Sequence, residues 1–217
     1  DKGGRTAIVE YSNEGKHLAT YWIPTAESAK NIPGGELADG YGYDIRALPR
    51  KNVLFTSSFT GWSNYMRDLG DLLKDEAAMK RFGNTAVGWD LHTRQPKQVL
   101  SVPGVPLEIR VAWGQSNNWA FTSTALTSKL YLFHVGPDGT WRATDVADIG
   151  KPAEIPLPVD ISIGADDKTL WVNTFMDGTT RYFDLSNPEA PKQTYAKVTG
   201  KQVNMVSQSW DGKRVYI

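Results

Sequence analysis

Apolar and polar residues alternate with a period of two through most of the chain, the pattern of half-buried β-strands. Four stretches carry it most clearly: Gly42-Tyr43-Asp44-Ile45-Arg46, Pro106-Leu107-Glu108-Ile109-Arg110, Pro158-Val159-Asp160-Ile161-Ser162 and Val203-Asn204-Met205-Val206-Ser207. Each is followed by a polar turn and a second apolar run: Val53-Leu54-Phe55, Trp119-Ala120-Phe121, Leu170-Trp171-Val172 and Val215-Tyr216-Ile217. The offset is ten from Asp44 to Leu54, from Asp160 to Leu170 and from Met205 to Val215. From Glu108 to Ala120 it is twelve, because the turn Gly114-Gln115-Ser116-Asn117-Asn118 is longer. A unit recurring at spacings of 64, 52 and 45 residues is an internal repeat. Repeats of several strands each predict a β-propeller. A β-sandwich needs no inner strand at matched positions, so it ranks well behind.

The strands between these anchors complete the units. Thr6 to Tyr11 and His17 to Ile23 read as a leading pair around the turn Ser12-Asn13-Glu14-Gly15. A polar connection with the turn signal Pro33-Gly34-Gly35 follows. The first repeat has strands near 43–48, 52–58, 85–90 and 97–102, the second near 107–113, 119–123, 129–135 and 141–145. The third runs from Pro158 to Val198, and a fourth starts at Val203. One helix is expected, roughly Trp62 to Phe82, with Leu69, Leu72, Leu73, Met79 and Phe82 on its apolar face and Gly83 as its stop. Its charged face reads as solvated, or as a contact surface. Residues 1–217 are therefore expected to form a single, all-β, partial propeller domain with a helical insertion at about 62–82.

Composition narrows the function classes. The 24 basic residues balance the 24 acidic ones, and no basic stretch marks a nucleic-acid surface. No apolar run approaches the ~20 residues of a membrane span. Cysteine is absent, which excludes disulfides, thiolate ligands and a cysteine nucleophile within these residues. The chain starts at Asp1 and stops within an expected strand at Val215-Tyr216-Ile217, so these residues are expected to belong to a longer protein. Alone they should not form a closed, stable monomer. The open blade faces would be covered by the rest of the chain, by self-association or by partner subunits.

Several motifs, in order, resemble the selenium-binding protein family, whose bacterial members include methanethiol oxidases. They are Gly42-Tyr43-Asp44 with Pro49-Arg50-Lys51-Asn52-Val53, Trp89-Asp90, Pro106-Leu107-Glu108-Ile109-Arg110, Gly139-Thr140-Trp141, Asp160-Ile161 with Asp166-Asp167, Asp184-Leu185-Ser186-Asn187-Pro188, and Asp211-Gly212-Lys213-Arg214-Val215-Tyr216-Ile217. The resemblance covers roughly residues 40–217, the middle of the family's chain. It implies a seven-bladed propeller, of which about four blades are present. It also implies a copper-dependent oxidoreductase that converts a small thiol, methanethiol, to formaldehyde, hydrogen sulfide and hydrogen peroxide. A periplasmic location is implied, with the cytoplasm as the alternative. Where the family carries histidines, this chain has Gly83-Asn84-Thr85 and Val111-Ala112-Trp113-Gly114, so the resemblance assigns no copper ligand to a residue here. The rival reading is a non-catalytic propeller, a binding or scaffold module without the metal.

Candidate chemistry within the chain is sparse. Asp44, Glu108 and Asp160 occupy equivalent inner-strand starts and could converge at one mouth of the channel on a hard cation or polar ligand. Against that, Arg46 and Arg110 lie two residues on, on the same strand face, and could neutralise them; this structural role is favoured. Met205 breaks the acidic pattern. His17, His92 and His134 are scattered, surface-type histidines with no nucleophile signature nearby. Gly3-Gly4 and Gly34-Gly35 lack the strand-then-helix context of a phosphate loop.

Overall fold

The computed structural model describes residues 5–28 and 35–217. Pro33 and Gly34 of the expected turn lie outside the described residues, as do Gly3 and Gly4. Sixteen strands are described. Three sheets hold four antiparallel strands each: β3 (Gly42–Leu48), β4 (Val53–Ser58), β5 (Thr85–Asp90) and β6 (Gln95–Ser101); β7 (Pro106–Val111), β8 (Ala120–Thr124), β9 (Lys129–Val135) and β10 (Trp141–Asp148); β11 (Pro158–Ile163), β12 (Thr169–Thr174), β13 (Thr179–Asp184) and β14 (Lys192–Val198). Two further sheets are hairpins, β1 (Ala7–Tyr11) with β2 (His17–Trp22), and β15 (Ser207–Gln208) with β16 (Val215–Tyr216). Strand order follows chain order in every sheet, and the inner strands β3, β7, β11 and β15 pack side by side. This is the blade arrangement of a β-propeller. Three blades are complete among the described residues and two more are half present, in agreement with the expected count of about four.

The hairpins are different halves of a blade. In each complete blade the residue after the outermost strand donates its N–H to the residue just before the third: Val102 to Asn84, Ile149 to Ser128, Thr199 to Gly178. Ile23 makes the same bond to Thr6, so β1 and β2 are an outer pair. β15 and β16 are an inner pair: β15 packs beside the inner strand β11, and the Val206 N–H before it donates to Asp160 as the Ile109 N–H of β7 donates to Asp44. The repeat extends to the backbone. Tyr41, Val105, Leu157 and Gln202 each lie four residues before the matched apolar anchors Ile45, Ile109, Ile161 and Val206, and each has a positive φ, between 50 and 72°.

Apolar residues of neighbouring blades close the seams. Phe55, Leu48 and Leu100 meet Ile109, Ala120 and Phe133 between the first two blades. Phe121, Leu130 and Leu132 meet Ile161, Leu170, Val172 and Phe183 between the second and third. The leading hairpin packs Ile8 and Tyr21 against Leu54, Val87 and Trp89. Polar clamps tie the turn ends of the same seams. Asp167 accepts the N–H groups of Trp113 and Gly114, each at 2.7 Å, and the Asn117 amide at 2.8 Å, while Arg50 donates to Ala112 O at 2.8 Å.

The expected long helix is not formed. Residues 62–79 make three short helical turns: a 3-10 turn at Trp62–Asn64, α1 (Leu69–Leu72) and α2 (Glu76–Met79). Asp68 and Asp75 break the run, because each carboxylate accepts two backbone N–H groups and so starts a new helix. Gly83 is no left-handed helix stop. A Cβ there would fall 2.2 Å from Ser58 Oγ, so the glycine permits close approach between strands. The insertion also joins the packing: Leu72, Ala78 and Phe82 are buried against Val105, Leu107, Ala125 and Leu157 of the blade connections.

Candidate functional site

Two features meet where the inner strands begin. The first is the set of carboxylates. Asp44, Glu108 and Asp160 each directly precede the matched anchors Ile45, Ile109 and Ile161, so the repeat places them at one level on β3, β7 and β11. The structure brings them together, interleaved with arginines. Arg46 Nη1 lies 2.7 Å from Asp44 Oδ1, and its Nη2 is 3.5 Å from Glu108 Oε2. Arg110 Nη1 donates to Glu108 Oε2 at 2.6 Å and is 3.4 Å from Asp44 Oδ2; its Nη2 reaches Asp160 Oδ1 at 3.0 Å. The order around the strands is Asp44, Arg46, Glu108, Arg110, Asp160.

The aspartates also stitch each blade to the next. Ile109 N–H donates to Asp44 Oδ2 at 2.8 Å, and Val206 N–H to Asp160 Oδ2 at 2.7 Å. Glu108 makes no such bond. Ile161 N–H, which would be its partner, donates to Asp160 Oδ1 at 2.8 Å. Burial pushes Asp44 up to about 6, although the Ile109 N–H and the Arg46 guanidinium favour its charged form. Burial likewise raises Asp160, opposed by the Val206 N–H and Arg110. The Tyr43 phenol is raised by burial and then by the negative charges of Glu108, Asp160 and Asp44.

The arginines largely neutralise this ring. Five of its six carboxylate oxygens meet a guanidinium or a backbone N–H; Glu108 Oε1 is the one left over among the described residues. Among the described residues no group of three or more His, Cys, Asp and Glu side chains is placed to hold a metal ion. The histidines stay apart: His17 Nε2 meets Thr20 Oγ1 at 3.0 Å and His134 Nε2 meets Thr144 Oγ1 at 2.9 Å, while His92 sits in the exposed turn before β6. The described residues therefore do not fit copper, and its donors would have to come from elsewhere in the protein. Met205, at the matching place of the fourth inner strand, is exposed.

The second feature is a cavity of about 260 Å3 between the insertion and the blade connections. Its walls include Phe59, Leu69, Leu72, Phe82, Val105, Leu107, Leu157, Val159 and Phe175, with Tyr65, Arg67 and Asn204 among the polar members. It adjoins the ring. Leu107 and Val159 immediately precede Glu108 and Asp160, and the Phe59 ring meets the Tyr43 ring edge-on at 5.5 Å. Sequence reasoning missed this cavity. The available signal was the run Phe59, Leu69, Leu72, Phe82, too apolar for a freely solvated insertion.

Comparisons with known proteins agree with this architecture. The family described as 56 kDa selenium binding protein matches residues 27–217. The chain is 66% identical to a methanethiol oxidase of Ruegeria pomeroyi, over all of its own length and 50% of the relative's. It is 56% identical to a methanethiol oxidase of a Hyphomicrobium species, covering 98% of this chain and 47% of that one. The chain thus spans about half the length of the curated relatives it matches. Among solved structures, a hypothetical selenium-binding protein from Sulfolobus tokodaii superposes with a TM-score of 0.68 at 22% identity, covering 99% of this chain and 64% of that one. A periplasmic gluconolactonase from Pseudomonas aeruginosa gives 0.65 at 14% identity, covering 97% and 55%. These two show the fold alone. The match over most of the chain shows the family: the protein is a member of the 56 kDa selenium-binding protein family.

Proposed function

We propose that the protein is a methanethiol oxidase, to which this chain contributes part of the propeller and one wall of the substrate route. The observation that carries the reading is 66% identity, along the whole chain, to a protein named methanethiol oxidase. The reaction proposed is methanethiol with dioxygen and water giving formaldehyde, hydrogen sulfide and hydrogen peroxide. The thiol carbon loses two electrons, dioxygen gains them as peroxide, and the water oxygen becomes the carbonyl. Copper would supply the redox chemistry when bound, with donors from outside the described residues. Within this chain the carboxylate–arginine ring holds the inner strands in place, and the neighbouring cavity offers an apolar surface suited to the alkyl group of a small thiol.

A second reading, a propeller kept as a binding scaffold, is favoured by one observation: the ring carboxylates are all engaged. One experiment separates the two. The full-length protein is loaded with copper, its metal content measured, and methanethiol supplied. The oxidase reading expects about one copper per chain, with formaldehyde, sulfide and peroxide formed in equal amounts. Copper-free protein that consumes no methanethiol after loading supports the scaffold.

A further inference from the structure

We propose that the cavity beneath residues 59–82 seats the alkyl group of a short-chain thiol, and that its walls set the chain length the protein accepts. This rests on the thiol-oxidase reading and adds a place and a size rule to it.

The lining argues first for an apolar ligand. Phe59, Leu72, Phe82, Leu107, Leu157 and Phe175 form the walls. The two buried polar side chains among them are already engaged: the Asn64 amide donates to Thr60 Oγ1 at 2.8 Å and to Ala78 O at 3.0 Å and accepts from Arg81 at 2.9 Å, and Thr60 Oγ1 donates to Arg81 O at 2.9 Å. At the rim, Arg67 is paired with Asp75 at 2.8 Å. A sugar or an anion would find few free partners here, and a hydrocarbon chain needs none.

Size argues next. Apolar cavities of about 150 Å3 stay dry and admit a benzene-sized guest. The 260 Å3 here exceeds that and opens to solvent on one side, so a methyl group leaves most of the space unfilled. A thiol of four or five carbons would fill it better.

The backbone conformation shared by the repeat also shapes the wall. Val105 and Leu157 hold φ at 72° and 60°, a left-handed conformation in which a β-branched residue such as valine is an outlier. Glycine would be cheaper at both positions. In the other two blades the equivalent residues are Tyr41 and Gln202; only the two aliphatic ones, with their neighbours Leu107 and Val159, line the cavity. Aliphatic side chains are thus held in a strained conformation where they form its wall.

The test uses the full-length protein. Crystals pressurised with xenon, an apolar probe of no chemical reactivity, should show it between Leu72, Leu107, Leu157 and Phe175. Kinetics with straight-chain thiols from methanethiol to hexanethiol should show kcat/KM rising to four or five carbons and then falling. Leu72→Ala should move the optimum at least one carbon longer, and Ala125→Leu should move it shorter, each changing the preference between ethanethiol and pentanethiol about tenfold. A cavity that takes ordered water and no xenon overturns the proposal. So does a chain-length profile that neither substitution moves while methanethiol is still oxidised; the oxidase reading then survives. Xenon and tight pentanethiol binding without any thiol oxidation would leave the cavity assignment standing and sink the oxidase reading.

Discussion

The ring at the inner-strand starts and the cavity beside it are built from adjacent residues and do opposite things. Glu108 and Leu107 are neighbours in sequence, as are Asp160 and Val159. The charged member of each pair is spent on the protein itself: Asp160 accepts Val206 N–H, Ile161 N–H and an Arg110 bond at 2.7, 2.8 and 3.0 Å. The apolar member lines a space left open among the described residues. Convergent charge is therefore a poor guide to a site in this fold. Carboxylates repeated at equivalent inner-strand positions are what a stack of blades needs to satisfy its neighbours' N–H groups. Room left beside them is the rarer feature, because protein interiors are otherwise close-packed.

Substitutions can break this contrast. The largest effect expected is from Asp160→Ala, which strands two buried N–H groups and leaves Arg110 short of a partner. A loss of about 3–5 kcal/mol is expected, read as a fall in the urea midpoint. Leu72→Ala removes a buried side chain from the cavity roof. Because the space around it is already open, the loss should sit near the lower end of the usual range, about 2 kcal/mol.

The pH dependence sharpens the same contrast. Asp44 titrates near 6 in the fold, whereas an unfolded aspartate titrates near ~3.9. Between those values the folded state holds more of the proton, so this group's contribution favours folding below pH ~4 and is lost as pH rises through 6. Asp160, also raised, has the same sign. Urea midpoints of wild type and Asp44→Asn, measured from pH 4 to 7, should show the wild type losing stability relative to the variant as pH rises; an unchanged difference would refute the burial of this charge. The smallest effect is expected at Trp62, 84% exposed on the insertion: Trp62→Ser should change stability by less than about 0.5 kcal/mol.

Much of this was legible in the sequence. Alternation located the twelve strands of the complete blades within a few residues, and matched offsets of ten residues, twelve at Glu108, picked out Asp44, Glu108 and Asp160 as equivalents. Arg46 and Arg110, two residues on, correctly announced neutralisation, although Arg110 also crosses to Asp160 of the next blade. The insertion was misread because apolar spacing from Leu69 to Phe82 suits one helix as well as two short ones. The deciding signal is local: Asp68 and Asp75 each cap a new turn. Other features were out of reach. Clamps such as Asp167 on Trp113 N–H join residues 54 apart, and no pattern marks them. Left-handed backbone at Val105 and Leu157 occupies residue types that argue against it.

The most direct test sets the ring against the cavity in one experiment on the full-length protein. Asp160→Asn and Leu72→Ala are compared for melting temperature and for the ratio of kcat/KM with pentanethiol to that with ethanethiol. The account predicts a double dissociation. Asp160→Asn lowers the melting temperature more and leaves the ratio unchanged, while Leu72→Ala raises the ratio about tenfold with a smaller thermal loss. A ratio that moves with Asp160→Asn and stays fixed with Leu72→Ala would contradict it, assigning recognition to the carboxylates and mere packing to the cavity.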